Sequence, residues 1–331
     1  EYIPRAGKQQ ESEEVLRDSY YEKLTSIARV LRYIATILLL VFGLGMAFFF
    51  SEDITAENLK LLLRNASFSF PGEQAAFTTV RYDADPAMDF AAYKEYFAVA
   101  TTTGLRLYDH RGNIALDSDH SMKSPTVDAG KDYILVYDRE GRSYVICNSV
   151  TSLYSGSEEH TIYWADVCDD GSYMVLTGSS THLSVIEIYN RSFKLKRKMN
   201  VDRYPLCARL SDDGTKLLLL TCTADEKGRA EGCITFYDLS EKTEQLCDVI
   251  TDRIPIYGCI SDKGAAVLFE DGIGFYDPEG KEIVFSSFDG MTPCLYSESG
   301  GCLTVAFERD RVLRENRIRT YDYENVKLRG E

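Results

Sequence analysis

Few residues of this 331-residue sequence have the types and spacing that catalysis or metal binding requires. Each of the four histidines falls in a predicted turn or loop, and no two of them have the spacing of a zinc-binding pair. They are His110, His120, His160 and His182. The sequence contains no GxSxG motif, Walker loop or dinucleotide fingerprint. We therefore predict no catalytic residue, no cofactor and no metal, and we expect that the protein is not an enzyme.

The nine cysteines do not indicate metal or redox chemistry either, because no two of them form a CxxC motif. Most lie in predicted strands, where cysteine usually packs as a small apolar side chain. An odd number argues against a disulfide framework. One pairing stays open, since Cys222 and Cys233 flank a predicted hairpin loop.

Two arginines at equivalent positions are the first candidates for binding. Arg203 and Arg253 stand in the segments DRYP and DRIP, and each proline precedes the glycine of a later turn by nine residues. A guanidinium group in a central channel would suit a carboxylate or a phosphate. The alternative is a salt bridge with the neighbouring Asp202 or Asp252.

The segment ERDRVLRENR at residues 308–317 is the second candidate. Val312 and Leu313 lie at its centre with charged residues on both sides, among them Arg309 and Arg314. Apolar side chains ringed by polar ones are typical of protein interfaces. We predict that these four residues bind a partner. Alternatively, the two apolar side chains pack on the predicted loop 223–232.

These residues must be positioned by a repeat that fills most of the chain. One marker is a glycine turn at Gly130, Gly171, Gly214, Gly264 and Gly300, with spacings of 41, 43, 50 and 36 residues. The other is a strand end followed by Asp or Asn, at residues 109, 148, 190, 238, 277 and 322. Four short antiparallel strands in each unit of about 40–45 residues are typical of a β-propeller blade.

Six such units are predicted, and a seventh blade stays open. Their ranges are 88–120, 123–157, 161–200, 203–250, 253–288 and 291–330. Residues 77–82 (FTTVRY) are a plausible closing strand. The predicted fold is therefore mainly β, a propeller of six to seven four-stranded blades preceded by a transmembrane helix.

Residues 33–50 form an 18-residue run without a charge, about 27 Å long as a helix and close to the thickness of a bilayer core. Four Lys or Arg residues lie just before this run and two just after it. The positive-inside rule therefore predicts a cytoplasmic N-terminus and an extracellular C-terminal part. The predicted domains are an arm with a juxtamembrane helix (1–32), the transmembrane helix (33–50), a linker with a short helix (51–74) and the propeller (75–331).

The charge distribution limits the possible partners. The net charge is −15, and residues 1–32 carry six charges of each sign, so the rest of the chain holds the whole excess. Because nucleic-acid binding needs a basic surface, we expect no nucleic-acid partner. The expected partners are the lipid bilayer and other envelope or membrane proteins.

The layout resembles an uncharacterised family of Gram-positive bacteria. Residues 58–65 (NLKLLLRN) after the apolar run, followed by the propeller turns, carry the resemblance. The family consists of single-pass membrane proteins with an extracellular propeller of the WD40-like or quinoprotein-like class. The Trp-Asp dipeptide does not recur here, since Trp164 is the single tryptophan. The resemblance implies the fold and the location but no activity.

Together these patterns predict a membrane-anchored, extracytoplasmic propeller that acts as a protein-binding scaffold in the cell envelope. Two alternatives are an envelope enzyme that acts on wall polymer or peptide in the channel, and a ligand-sensing receptor. The side chains that line the channel distinguish a scaffold from an enzyme. Clustered carboxylates beside a base favour an enzyme, whereas an apolar or filled channel favours a scaffold.

Overall fold

The computed structural model describes residues 28–42, 85, 87–240, 243–308 and 317–330. The chain divides into two compact units, Glu1–Ser69 and Phe70–Glu331. In the first unit the described residues form one helix, α1 (28–42). No helix among the described residues combines the length and the apolar character that a membrane crossing requires. Residues 43–50 of the predicted span lie outside the described residues.

The second unit is a six-bladed propeller, and each blade is one four-stranded antiparallel sheet in sequence order. Blade 1 contains β1 (Asp89–Tyr93), β2 (Tyr96–Ala100), β3 (Gly104–Tyr108) and β4 (Ile114–Asp119). Blade 2 contains β5 (Pro125–Ala129), β6 (Ile134–Asp138), β7 (Ser143–Cys147) and β8 (Ser152–Ser157). Blade 3 contains β9 (Ile162–Val167), β10 (Tyr173–Gly178), β11 (Ser184–Tyr189) and β12 (Leu195–Val201).

The other three blades have the same plan. Blade 4 contains β13 (Tyr204–Leu210), β14 (Lys216–Ala224), β15 (Ala230–Asp238) and β16 (Glu244–Thr251). Blade 5 contains β17 (Pro255–Ile260), β18 (Ala265–Phe269), β19 (Gly272–Tyr276) and β20 (Glu282–Ser287). Blade 6 contains β21 (Pro293–Ser299), β22 (Cys302–Phe307), β23 (Ile318–Asp322) and β24 (Lys327–Gly330). The six predicted units agree with these blades, whereas the proposed closing strand at 77–82 lies outside the described residues.

The repeated Asp or Asn closes the same turn in every blade. In blade 1, Asp109 Oδ1 accepts hydrogen bonds from the backbone N–H groups of Arg111 and Asn113, each at 2.8 Å. Asn148, Asn190, Asp238, Asp277 and Asp322 accept equivalent bonds. A short side chain with an acceptor oxygen three bonds from Cα suits this geometry. The marker is therefore a local turn signal in all six blades.

Glycine is required at one of the other turns. Gly171 has φ of +84°, and a Cβ added there would lie 2.5 Å from the ring of Tyr133. Both facts favour a residue without a side chain.

The core lies between blades, where the faces of adjacent sheets pack together. Buried side chains of blades 1 and 2 form one cluster, those of blades 2 and 3 a second, and those of blades 3 and 4 a third. A fourth cluster joins blades 4, 5 and 6. Each blade thus depends on its neighbours for burial of its apolar surface.

The structure corrects two expectations about blade 4. The predicted loop 223–232 is shorter, because β14 extends to Ala224 and β15 begins at Ala230. Cys222 lies opposite Gly232, and Cys233 lies opposite Thr221. The two cysteines are therefore one position out of register, and their side chains point to opposite faces of the sheet. They do not form a disulfide, and all nine cysteines are free.

Candidate functional site

Four blades meet through one arginine at the centre of the ring. Arg209 of β13 places Nη2 2.8 Å from Glu298 Oε2 in β21 and Nη1 3.2 Å from Asp128 Oδ1 in β5. Its Nη1 also lies 2.9 Å from Asp166 Oδ1 in β9, close enough for an ion pair although not aligned for a hydrogen bond. We call Arg209, Asp128, Asp166 and Glu298 the central ion cluster. Because its members come from blades 4, 2, 3 and 6, their side chains fill the middle of the ring at this level.

The carboxylates of the inner strands also bind the backbone of the next blade. Asp128 Oδ2 accepts a hydrogen bond from the N–H of Val167 at 2.9 Å, and Asp166 Oδ2 accepts one from Leu210 at 2.6 Å. Asp89 Oδ2 in β1 accepts a third, from Val127 at 3.0 Å. These bonds join blades 1, 2, 3 and 4 in series, independently of the apolar packing.

Burial also shifts the pKa of one acid of this cluster. Burial raises the pKa of Asp166 well above its usual range, and Arg209 opposes the shift. Glu298 also accepts a hydrogen bond from the Tyr323 hydroxyl at 2.7 Å. The three acids thus share the single positive charge of Arg209, and each also accepts a hydrogen bond from an uncharged donor.

A layer of aromatic rings lies next to the ion cluster, nearer the end of the propeller where the inner strands begin. Trp164 and Tyr296 stand two residues before Asp166 and Glu298, and alternate residues of a strand share a face. Tyr257 of β17 lies between these rings, with centroids 6.1 Å from Trp164 and 4.5 Å from Tyr296. The channel is therefore occupied by aromatic rings as well as by the ion cluster.

The channel contains both clustered carboxylates, which were expected for an enzyme, and side chains that fill it, which were expected for a scaffold. Carboxylates are clustered there, yet Arg209 pairs with them and backbone N–H groups occupy two of them. Arg209 and the backbone N–H groups thus engage these carboxylates in contacts between blades. This arrangement suits a role in joining blades.

The structure places the two predicted arginines away from the channel. Arg203 binds Asp248 of the outer strand β16 through two contacts of 2.6 and 2.7 Å. Arg253 lies 3.1 Å from Asp271 and stacks 4.3 Å from the ring centroid of Phe285, on the outer strand β20. Each guanidinium group thus closes onto the outer half of its own blade, and neither pairs with the adjacent Asp202 or Asp252 in the contacts described. Residues 309–316, which include Arg309, Val312, Leu313 and Arg314, lie outside the described residues.

The sequence analysis missed the residues that meet in the channel. Asp128 and Glu298 stand two residues before the predicted glycine turns at Gly130 and Gly300, and both lie within strands. Arg209 and Asp166 were not singled out, although each is the charged residue near the end of an otherwise largely apolar strand, PLCARL or IYWADV. A charge within an apolar strand was the available signal, since such a charge needs a partner when buried.

The two ends of the propeller differ in character. We define the loop face as the end where the inner strands begin, and the turn face as the end where they finish. On the loop face Tyr204 is 63% exposed and Leu295 is 69% exposed, and Tyr163, Leu183 and Ile256 are also exposed. The inner hairpins of the turn face instead expose acids: Asp132, Asp169, Asp170, Asp212, Asp213 and Asp262. The turn face also exposes apolar side chains, such as Ile114 and Leu195, but these lie on outer strands. Exposed apolar side chains near the inner strands, such as Tyr204 and Leu295, are typical of a contact surface.

Removing Arg209 should leave buried acids without a counter-charge. We expect Arg209→Met to lower the free energy of unfolding by about 3–5 kcal/mol, measured by urea denaturation. The combined variant R209M/D128N/D166N/E298Q should regain most of this loss. The more exposed pair provides a control, and Arg253→Met should cost less than about 1 kcal/mol. Equal losses of unfolding free energy in R209M and R253M would show that the central ion cluster stabilises the fold no more than a surface ion pair does.

Two neighbouring aspartates on the turn face should respond oppositely to pH. Loss of hydration, with repulsion from Asp169 and Glu298, raises the pKa of Asp212 to about 6. A raised acid pKa stabilises the fold at low pH, and this contribution is lost as the pH rises through 6. Asp212→Asn should therefore increase stability at pH 8 relative to the wild type, by up to about 1 kcal/mol given solvent screening, but not at pH 4.

Asp213 is the matched control. Burial opposes the shift, but hydrogen bonds from Ser211 and Thr215 hold the pKa of Asp213 below its usual value. Its contribution is present at neutral pH and is lost on acidification, so Asp213→Asn should reduce stability at pH 8. Urea denaturation of both variants at the two pH values tests the signs, and the same sign for both would refute this account.

Comparison with solved structures supports the fold assignment. A chain in the "Complex of KlAtg21 with coiled-coil of AgAtg16" is similar with a TM-score of 0.52 and 11% identity, covering 69% of this chain and 77% of that chain. Kuenenia stuttgartiensis hydrazine synthase is similar with a TM-score of 0.54 and 12% identity, covering 75% and 80%. At such identities the likeness shows the fold alone.

At the level of sequence, no curated protein matches the chain significantly. The family described as "Family of unknown function (DUF5711)" matches residues 74–282, which is more than half of the chain. This match begins before blade 1 and extends into blade 5. The chain therefore belongs to the DUF5711 family.

Proposed function

We propose that this protein is a membrane-anchored scaffold of the cell envelope that binds a partner protein on the loop face of its propeller. The observation that carries the proposal is the set of exposed apolar side chains on that face, including Tyr204 and Leu295. Interfaces concentrate their binding energy in a few aromatic and apolar anchors surrounded by polar residues. The rigid sheets beneath would hold these anchors in place at little entropic cost.

The proposed partner surface also includes the predicted binding residues Arg309, Val312, Leu313 and Arg314. The described strands on either side of them support this, because Phe307 and Ile318 lie at the loop-face ends of β22 and β23. Val312 and Leu313 would add two apolar anchors there, and Arg309 and Arg314 would supply charged contacts at the rim. A fold of this kind appears with a coiled coil in one similar structure, so a helical partner is a reasonable first candidate.

The filled channel supports a binding role over a catalytic one. The three acids of the central ion cluster have partners within the protein, and aromatic rings occupy the next layer. The proposal therefore assigns no reaction to the protein.

Photo-crosslinking from defined positions tests the partner surface. We would introduce p-benzoylphenylalanine into the full chain in its native membrane at Tyr163 and Tyr204 of the loop face. Ile114 and Leu195, which are 52% exposed and lie near the turn face, provide matched controls. We expect one protein adduct, identified by mass spectrometry, from the loop-face positions alone. Equal adducts from both ends, or none from the loop face, would refute the assignment.

The anchor is proposed for residues 33–50, with the propeller outside the cell. The uncharged run and the excess of positive residues before it support this topology. So does the high exposure of apolar side chains in α1, which reaches 73% at Leu39. An alkaline phosphatase fusion after Glu331 should be active, and one near Glu11 inactive. The reverse pattern would overturn the orientation, and release of the full chain by sodium carbonate would overturn the anchor.

A further inference from the structure

We propose that the outer part of the seam between blades 3 and 4 binds a single neutral sugar residue. A pocket of about 200 Å³ opens there. Its walls come from the end of β12, the connection to β13, and strands β14, β15 and β16 of blade 4. This site lies outside the channel and does not depend on a partner at the loop face.

The pocket is small and mostly polar. At roughly 30 Å³ for each water molecule, its volume equals that of about seven waters, which is close to that of one pyranose ring with its hydroxyl groups. Thr221, Thr235 and Tyr237 supply hydroxyl groups, and Asn200 and Gln245 supply amides. Leu219 gives an apolar patch on which the C–H groups of a sugar ring can pack. This combination of polar groups and one apolar patch suits a polyhydroxylated ligand.

The charged pair in the pocket favours a neutral ligand. Arg203 binds both oxygens of Asp248, so its positive charge is balanced within the wall. Thr235 also donates to Asp248 Oδ1 at 2.8 Å. The pair still offers donors, because a guanidinium group has five N–H bonds and only two point at the carboxylate. A sugar hydroxyl can accept from the guanidinium group and donate to the carboxylate at once, whereas a phosphate would meet the negative charge of Asp248.

One hydroxyl in the wall has only a weak partner. Thr221 is 1% exposed, and its Oγ1 meets the thiol of Cys233, which lies opposite it in β15. A thiol is a weak hydrogen-bond partner. A sugar hydroxyl in the pocket would therefore be a better partner for Thr221 than the thiol is.

Titration by NMR tests the site on the full chain in a detergent without a sugar headgroup. The probes are glucose, N-acetylglucosamine and glucose 6-phosphate. We expect saturable binding of at least one neutral sugar with a Kd of about 1 mM, and weaker binding of the phosphate ester. Failure of both neutral sugars to bind at about 10 mM would overturn the proposal, as would equal or tighter binding of the phosphate ester.

Two variants locate the binding. Thr221→Val removes the hydroxyl but keeps the shape, so it should weaken sugar binding about tenfold while leaving Tm unchanged or higher. Thr304→Val in blade 6 removes a hydroxyl that bonds to Thr320, and it is the control that should leave affinity unchanged. Unchanged affinity in T221V would place the sugar elsewhere and overturn the assignment.

A charge change gives an independent readout. Asp248→Asn leaves Arg203 without its counter-charge, so the preference should reverse toward glucose 6-phosphate. A circular dichroism melt confirms that the variant is folded. If the folded D248N protein keeps the wild-type preference, the Arg203–Asp248 pair does not contact the ligand and the proposal fails.

Discussion

The propeller depends on one largely buried arginine that pairs with acids from three other blades. Apolar packing joins the blades from 1 to 6 in chain order, but it acts only between adjacent sheets. The central ion cluster acts across the ring, because Arg209 reaches Asp128, Asp166 and Glu298 on blades 2, 3 and 6. Burying three carboxylates is costly unless a cation and hydrogen-bond donors accompany them. The cluster is therefore a constraint that only the assembled ring can satisfy.

This constraint shapes the functional interpretation. The ion cluster and the aromatic rings occupy the centre, so the proposed binding surfaces lie at the loop face and on an outer seam of the propeller. The turn face presents exposed acids on its inner hairpins, whereas the loop face presents apolar side chains such as Tyr204 and Leu295. The two ends of the propeller therefore differ in the side chains that their inner strands and inner hairpins expose.

Arg203 and Arg253, the two arginines predicted to bind a ligand, show that the neighbouring side chains decide the role of a charged residue. Arg203 and Arg253 occupy equivalent positions, and both close onto carboxylates of their own blades. Arg253 also covers the ring of Phe285. Arg203 instead borders a pocket, because the neighbouring β12 and the hydroxyl groups of blade 4 leave space beside it. Equivalent sequence segments therefore give a packed corner in one blade and a cavity in the other.

The sequence by itself determined the blades. Their limits follow from turns that act over two to four residues, such as the bonds from the backbone of Arg111 and Asn113 to Asp109, and from apolar strands between them. Such local signals are visible in a linear chain. Tertiary structure alone decided the chemistry of the centre, because Asp128 and Glu298 are 170 positions apart in the sequence and meet at one guanidinium group only when the ring forms. It likewise decided that Cys222 and Cys233 point apart and that Arg203 is already paired, since strand register and sheet packing set both.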